Sequence, residues 1–146
     1  MGVTNYLLIA DVSEAETVAA HEDPSRDWEG MNFQGLDIIK LVTLWSHIDA
    51  GSSNHQFEQR MDAVLRVASG DAGPFVEIAP PKMVSALAQV AEMNDDQISH
   101  IAESLSRLED FSGWNPGDVV NLVRSVGNHA EMAATLGRSL LVYTSL

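Results

Sequence analysis

The sequence predicts an α+β fold in which a small mixed sheet of about three or four strands is covered by about six helices. Three short apolar runs, at the two ends and near the middle of the chain, are typical of strands. Between them, apolar residues recur at helical spacing in six stretches that carry capping residues, prolines or glycines at their ends. A chain of 146 residues can bury one core, so we expect a single domain over residues 1–146.

The first elements in order are a strand and a short helix. The apolar run at 4–10 predicts a buried N-terminal strand. Ser13 and Glu16 have the spacing of a capping box, which predicts a helix that ends before Pro24. The residues from 21 to 35 read as irregular.

Two longer helices are predicted next. After Gly35 the apolar residues at helical spacing are Leu36, Ile39, Leu41, Val42, Trp45 and Ile48. The polar segment AGSSN interrupts the pattern, and Ser53 or Asn54 is expected to cap a second long helix that runs to Gly70. Its apolar residues are Phe57, Met61, Val64, Leu65 and Ala68.

The second half reads as a strand, three helices and a final strand. The alternation in residues 75–78, ended by prolines, predicts a short central strand, and Pro81 suits the first turn of a helix. Asn94 is expected to cap the next helix. Asn115 followed by proline predicts a long helix that ends at Gly137, before the C-terminal strand LLVYTSL.

The segments GLDIIKLVTLWSHI, GPFVEIAPPKMVSALAQV, GWNPGDVVNLV and RSLLVYTSL resemble, in that order, small bacterial proteins of unknown function related to the YfbM-like family. The resemblance covers roughly residues 28–146. It implies an α+β fold whose terminal strands meet in one sheet, and it assigns no catalytic residue. Such proteins also look similar to the immunity partners of bacterial toxins, a likeness at the level of fold alone.

The charge of the chain restricts its partners. Eight basic and 21 acidic residues leave a net charge of −13, which repels nucleic-acid phosphates and anionic lipids. We therefore expect no nucleic-acid partner and no membrane partner. The chain has no cysteine, and we see no signal peptide or membrane span, which together favour the cytoplasm.

No motif for catalysis, metal or cofactor binding stands out, so we expect no enzyme activity, no metal and no cofactor. The five histidines form no ligand pair, and no nucleophile elbow or phosphate-binding loop is present. One alternative remains open, in which His47, His55 and Asp49 converge beside the AGSSN segment. The adjacent pair Glu109 and Asp110 is explained by a helix end.

Two acidic stretches, 11–29 and 92–110, are either solvated surfaces or the binding surface for a basic partner. The candidate partner-binding residues are Glu22, Asp23, Asp27, Trp28, Glu29, Asp95, Asp96 and Glu103. Trp28 either packs over the sheet or anchors an interface. Trp45 is expected in the core, and Trp114 is assigned to packing.

These observations favour a binding protein over an enzyme. The leading hypothesis is an acidic immunity or inhibitor protein, monomeric or homodimeric, that neutralises a basic toxin with carboxylates gathered on one exposed side. The alternatives are a housekeeping interaction or assembly subunit, and a small enzyme with an unrecognised site of histidine and carboxylate groups.

Overall fold

A computed structural model describes residues 4–32, 35–50 and 56–146 of the chain. The strands in this part are β1 Thr4–Ala10, β2 Gly30–Asn32, β3 Leu65–Ala68, β4 Phe75–Ile78 and β5 Ser139–Ser145. They form one open sheet in the order β2-β1-β5-β4-β3, and every neighbouring pair is antiparallel. The described architecture is therefore α+β, as the sequence predicts.

The centre of the sheet is the pair β1 and β5, the strands predicted at the two ends of the chain. Seven residue pairs join them, from Thr4 opposite Ser145 to Ala10 opposite Ser139. Most of both strands is buried, which explains why each reads as a continuous apolar run.

Six α-helices lie in the described residues. They are α1 Ala15–Ala19, α2 Ile38–Ala50, α3 Phe57–Asp62, α4 Pro81–Ala88, α5 Asp95–Ser106 and α6 Pro116–Leu136. Two caps that the sequence predicts are confirmed. The Asn94 side chain accepts a hydrogen bond from the backbone N–H of Gln97 at 2.9 Å, and Asn115 accepts one from Gly117 at 2.8 Å.

The helices cover the two faces of the sheet unequally, because successive strand residues point to opposite sides. Leu7 and Ile9 of β1 pack in the larger core with α2, α4, α5 and α6, on what we call the helical face. Leu8 and Ala10 pack with α1 in a smaller core, on what we call the α1 face. The same alternation divides the residues of β5 between the two cores.

The predicted long helix up to Gly70 is wrong. The structure has the short helix α3, and the chain then continues as β3, which pairs with β4. Leu65, assigned to the inner face of the predicted helix, is 60% exposed on this edge strand. Pairing with β4, the next strand along the chain, overrides the helical spacing here.

The expected mixed sheet of three or four strands is also wrong, since five antiparallel strands are described. The additional strand β2 lies in the segment that reads as irregular. The first capping box differs too, because Glu14, and not Glu16, accepts the hydrogen bond from the backbone N–H of Asp11, at 3.0 Å.

The close approach of α6 to the 3₁₀ turn Gln89–Glu92 provides a test of the larger core. A Cβ added at Gly127 would lie 2.7 Å from the Cβ and Cγ1 atoms of Val90. We expect Gly127→Ala to lower the free energy of unfolding by about 1–3 kcal/mol, because overpacking exceeds the gain in helix propensity. Urea unfolding measures the change.

The matched control is Asn128→Ala, at an exposed position of the same helix, with an expected change within about 0.5 kcal/mol. Adding Val90→Ala to Gly127→Ala should cost less than the sum of the two single changes, since it relieves the overlap. A Gly127→Ala variant as stable as the original protein would contradict this packing.

Candidate functional site

The acidic segment after α1 lies against the α1 face of the sheet. Trp28 is half-buried there and packs against the smaller core. Its indole Nε1 donates a hydrogen bond to Glu14 Oε2 at 3.0 Å, and the His21 ring meets it edge-on at 5.4 Å. Of the two interpretations of Trp28, this placement supports packing over the sheet.

Side-chain contacts hold this segment although it has little regular structure. The Tyr143 hydroxyl of β5 donates to the His21 carbonyl oxygen at 2.8 Å, and His21 Nε2 lies 2.7 Å from Asp27 Oδ2. Asp23 pairs with Arg26 at 3.3 Å and accepts a hydrogen bond from Ser25, which lowers the pKa of Asp23.

We call the predicted residues of this segment the 22–29 acidic surface, defined by Glu22, Asp23, Asp27, Trp28 and Glu29. Glu22, Asp27 and Glu29 are exposed. Glu22 and Glu29 have no side-chain partner among residues 4–32, 35–50 and 56–146. The carboxylates at these two positions therefore remain available to a partner.

The other predicted carboxylates lie on the opposite side of the sheet. Asp95, Asp96 and Glu103 are exposed on α5, which packs in the larger core on the helical face. Asp95 pairs with Arg124 of α6 at 2.5 Å, and Glu103 pairs with Arg107 at 2.6 Å. The expectation that all these carboxylates gather on one exposed side is therefore wrong.

The possible cluster of His47, His55 and Asp49 is only partly described, because His55 lies outside the described residues. Asp49 Oδ2 accepts hydrogen bonds from Trp45 Nε1 and Arg60 Nη1, both at 2.9 Å. These bonds direct the carboxylate to the buried Trp45 ring and to the guanidinium above it. Asp49 therefore acts as a structural acceptor.

His47 has an unusual environment on α2. Both ring nitrogens are buried and have no hydrogen-bond partner within the described part of the chain. Burial lowers the pKa of His47, and the nearby His100 of α5 lowers it further. A neutral imidazole is therefore favoured in the folded protein.

A cleft of about 610 Å³ lies on the helical face, between the start of α2 and the end of the sheet where β1 begins and β5 ends. We call it the sheet-end cleft. The residues that line it are Asn5, Gly35, Asp37, Ile38, Ile39, Lys40, Arg66, Phe75, Glu77, Thr144 and Leu146. None of these is a histidine, so the cleft lacks the histidine and carboxylate pair expected of the small-enzyme alternative.

Four charged side chains approach one another in the sheet-end cleft. Lys40 Nζ lies 3.1 Å from Asp37 Oδ2, and Asp37 Oδ1 accepts a hydrogen bond from the Lys40 backbone N–H at 2.8 Å. Arg66 stands opposite Glu77 in the register of β3 and β4, and its guanidinium lies over the Phe75 ring, 4.4 Å from the ring centroid. Asp37 and Lys40 therefore form an ion pair, whereas Arg66 lies over an aromatic ring.

Glu77 is half-buried and has no hydrogen-bond or ion-pair partner in the part of the chain that the structure describes. Burial raises the pKa of Glu77. Arg66 opposes this effect on the pKa, and Asp37 adds to it. Glu77 is not among the site residues expected from the sequence, although the alternation of the central strand places it on the same face as Phe75.

Within residues 4–32, 35–50 and 56–146, no group of three or more histidine and carboxylate side chains is arranged to hold a metal ion. None of the helices described here is long and apolar enough to cross a membrane. No protein-family model, curated protein or solved structure matches this chain. The relation to the YfbM-like family therefore stays a prediction.

We expect Glu77→Gln to stabilise the protein at neutral pH by about 1 kcal/mol, well below the penalty for a fully buried unpaired ion. Because the pKa of Glu77 is raised on folding, the unfolded chain loses its proton first as the pH rises past 4.5, and the free energy of unfolding falls. The gain should vanish at lower pH, where both states are protonated. Urea unfolding across pH, with the exposed Glu131→Gln as control, measures it.

His47 should make the protein sensitive to weak acid. Because its pKa is lowered on folding, the unfolded chain binds a proton first as the pH falls below 6.5, and the free energy of unfolding decreases. We expect His47→Leu to flatten this dependence and His100→Gln to reduce it in part. Thermal unfolding between mildly acidic and neutral pH measures both, and an unchanged slope in His47→Leu would contradict the assignment.

Proposed function

We propose that this chain is a non-catalytic binding protein of the immunity or inhibitor type, which captures a basic protein through the 22–29 acidic surface. The observation that carries the proposal is that this surface is held in place before any partner binds. The contacts from Tyr143 and Glu14 fix the segment at both ends. A preformed surface loses less conformational entropy on association than a flexible loop does.

The charge of the whole chain supports the same role. A net charge of −13 accelerates encounter with a positively charged protein and disfavours nucleic acid. The partner in this proposal is a basic toxin effector or a protein of similar charge. The inhibitor acts in the cytoplasm, where the absence of cysteine suits a reducing environment.

The proposal assigns different roles to the predicted residues. Glu22 and Glu29 meet basic groups of the partner directly, because their side chains are exposed and free of partners among the described residues. Trp28 acts mainly as a support that keeps the segment on the sheet. The carboxylates of α5 lie outside this interface, because the sheet separates them from it.

The test compares two charge reversals of equal size. Glu22→Lys with Glu29→Lys alters the 22–29 acidic surface, and Asp96→Lys with Glu103→Lys makes the same change in net charge on α5. The probes are basic proteins encoded beside this chain, measured by titration calorimetry and rapid mixing. We expect a 1:1 complex whose association slows about tenfold or more in the first variant and much less in the second.

Inhibition is tested with the same set of proteins. A basic neighbour that arrests growth when expressed alone should be neutralised by the original chain and by the α5 variant, but less well by the 22–29 variant. Two results would overturn the proposal. One is equal weakening in both variants, and the other is binding of every encoded neighbour no tighter than that of a generic basic protein such as lysozyme.

A further inference from the structure

The sheet-end cleft is independent of the 22–29 acidic surface, since its floor belongs to the helical face. Phe75 and Glu77 of β4 form this floor with Asn5 and Thr144, which are opposed in the register of β1 and β5. The start of α2 forms the facing wall. The volume of the cleft, about 610 Å³, is in the usual range for small-molecule sites.

Two opposite charges in the cleft remain available to a ligand. The Glu77 carboxylate has no hydrogen-bond or ion-pair partner in the described residues. The Arg66 guanidinium lies over the Phe75 ring and forms no ion pair with Glu77. Lys40 and Asp37 neutralise each other and add no net charge to the site. A ligand that brings one cation and one anion would satisfy both groups at once.

The spacing of these charges restricts the ligand further. Residues directly opposed on antiparallel strands have Cβ atoms only about 5 Å apart, so the Arg66 and Glu77 side chains start next to each other on one face, close enough for Arg66 to oppose the rise in the pKa of Glu77. An ammonium and a carboxylate on the same carbon atom suit this arrangement. The guanidinium also offers a planar pair of donors to a carboxylate.

The rest of the cleft lining is apolar enough to favour a ligand with an apolar side chain. Phe75 is half-buried on the floor, and Ile39 on the wall is 43% exposed, although large aliphatic side chains are usually buried. Ile38 extends the same wall. An apolar group placed between them would remove this surface from water.

We propose that the sheet-end cleft binds a free α-amino acid with a large apolar side chain, its ammonium group at Glu77 and its carboxylate at Arg66. Asn5 and Thr144 offer an amide and a hydroxyl to the same polar groups. The ligand side chain lies against Ile39 and the part of the Phe75 ring that the Arg66 guanidinium leaves uncovered. Glu77 accepts an ammonium best when ionised, so binding strengthens as the pH rises through the raised pKa of this carboxyl.

The test uses phenylalanine and leucine as probes, with nuclear magnetic resonance and calorimetry at neutral pH. We expect saturable binding that shifts the resonances of Phe75 and Glu77. N-acetylphenylalanine lacks the ammonium and phenylalaninamide lacks the carboxylate, so each should bind about tenfold or more weakly. Glu77→Gln and Arg66→Gln should each lower the affinity for phenylalanine by a similar factor. Glu131→Gln, outside the cleft, should leave this affinity within about twofold of the original.

One comparison separates recognition of the ammonium from a general loss of binding. In Glu77→Gln, phenylalanine and N-acetylphenylalanine should bind equally, while phenylalaninamide should still bind more weakly than phenylalanine does to the same variant. The proposal is overturned by no saturable binding of either amino acid at about 10 mM. Equal affinity of the unmodified protein for the acetylated ligand, or an unchanged affinity in Glu77→Gln, would overturn it too.

Discussion

The pairing of β1 with β5 determines how every other part of the molecule is arranged. These strands come from opposite ends of the described chain, and the seven residue pairs that join them lie in the interior of the sheet. Because both are buried, they supply side chains to two separate cores. The helices then sort by face, with α1 on one side and α2, α4, α5 and α6 on the other.

This two-sided sheet explains why charge and function divide as they do. In the sequence the acidic residues suggest a single binding surface. In the structure the 22–29 acidic surface lies on the α1 face, and the other carboxylates lie on α5. An interface formed on the α1 face therefore includes the 22–29 acidic surface without the carboxylates of α5. The polar end of the helical face, at Glu77, is a third environment with both signs of charge.

Local signals account for the parts of the fold that the sequence predicts. Asn94 and Asn115 are capping residues whose hydrogen bonds lie within one turn, so sequence spacing alone reveals them. The edge strands β2 and β3 instead depend on pairing with another strand. Gly30 in β2 is required because a Cβ there would collide with the Leu7 carbonyl oxygen, a contact that spacing along the chain does not reveal.

The candidate sites also differ in how far the sequence predicts them, because some depend on local composition and others on contacts made only in the folded protein. Glu22 and Glu29 stand in an acidic run, which composition detects directly. Glu77 is a single acid in a short strand, and its importance comes from burial and from neighbours on α2 and β3. The separation of the two acidic groups likewise follows from tertiary structure, since residue order does not encode which face each one occupies.

Strand β5 serves both candidate sites through consecutive residues. Tyr143 points to the α1 face and supports the acidic segment through His21, whereas Thr144 lines the cleft on the other side. A slip of one position in the β5 register would exchange these two side chains between faces. Both sites would then fail together although they share no residue, so the two proposed activities depend on one hydrogen-bonding register.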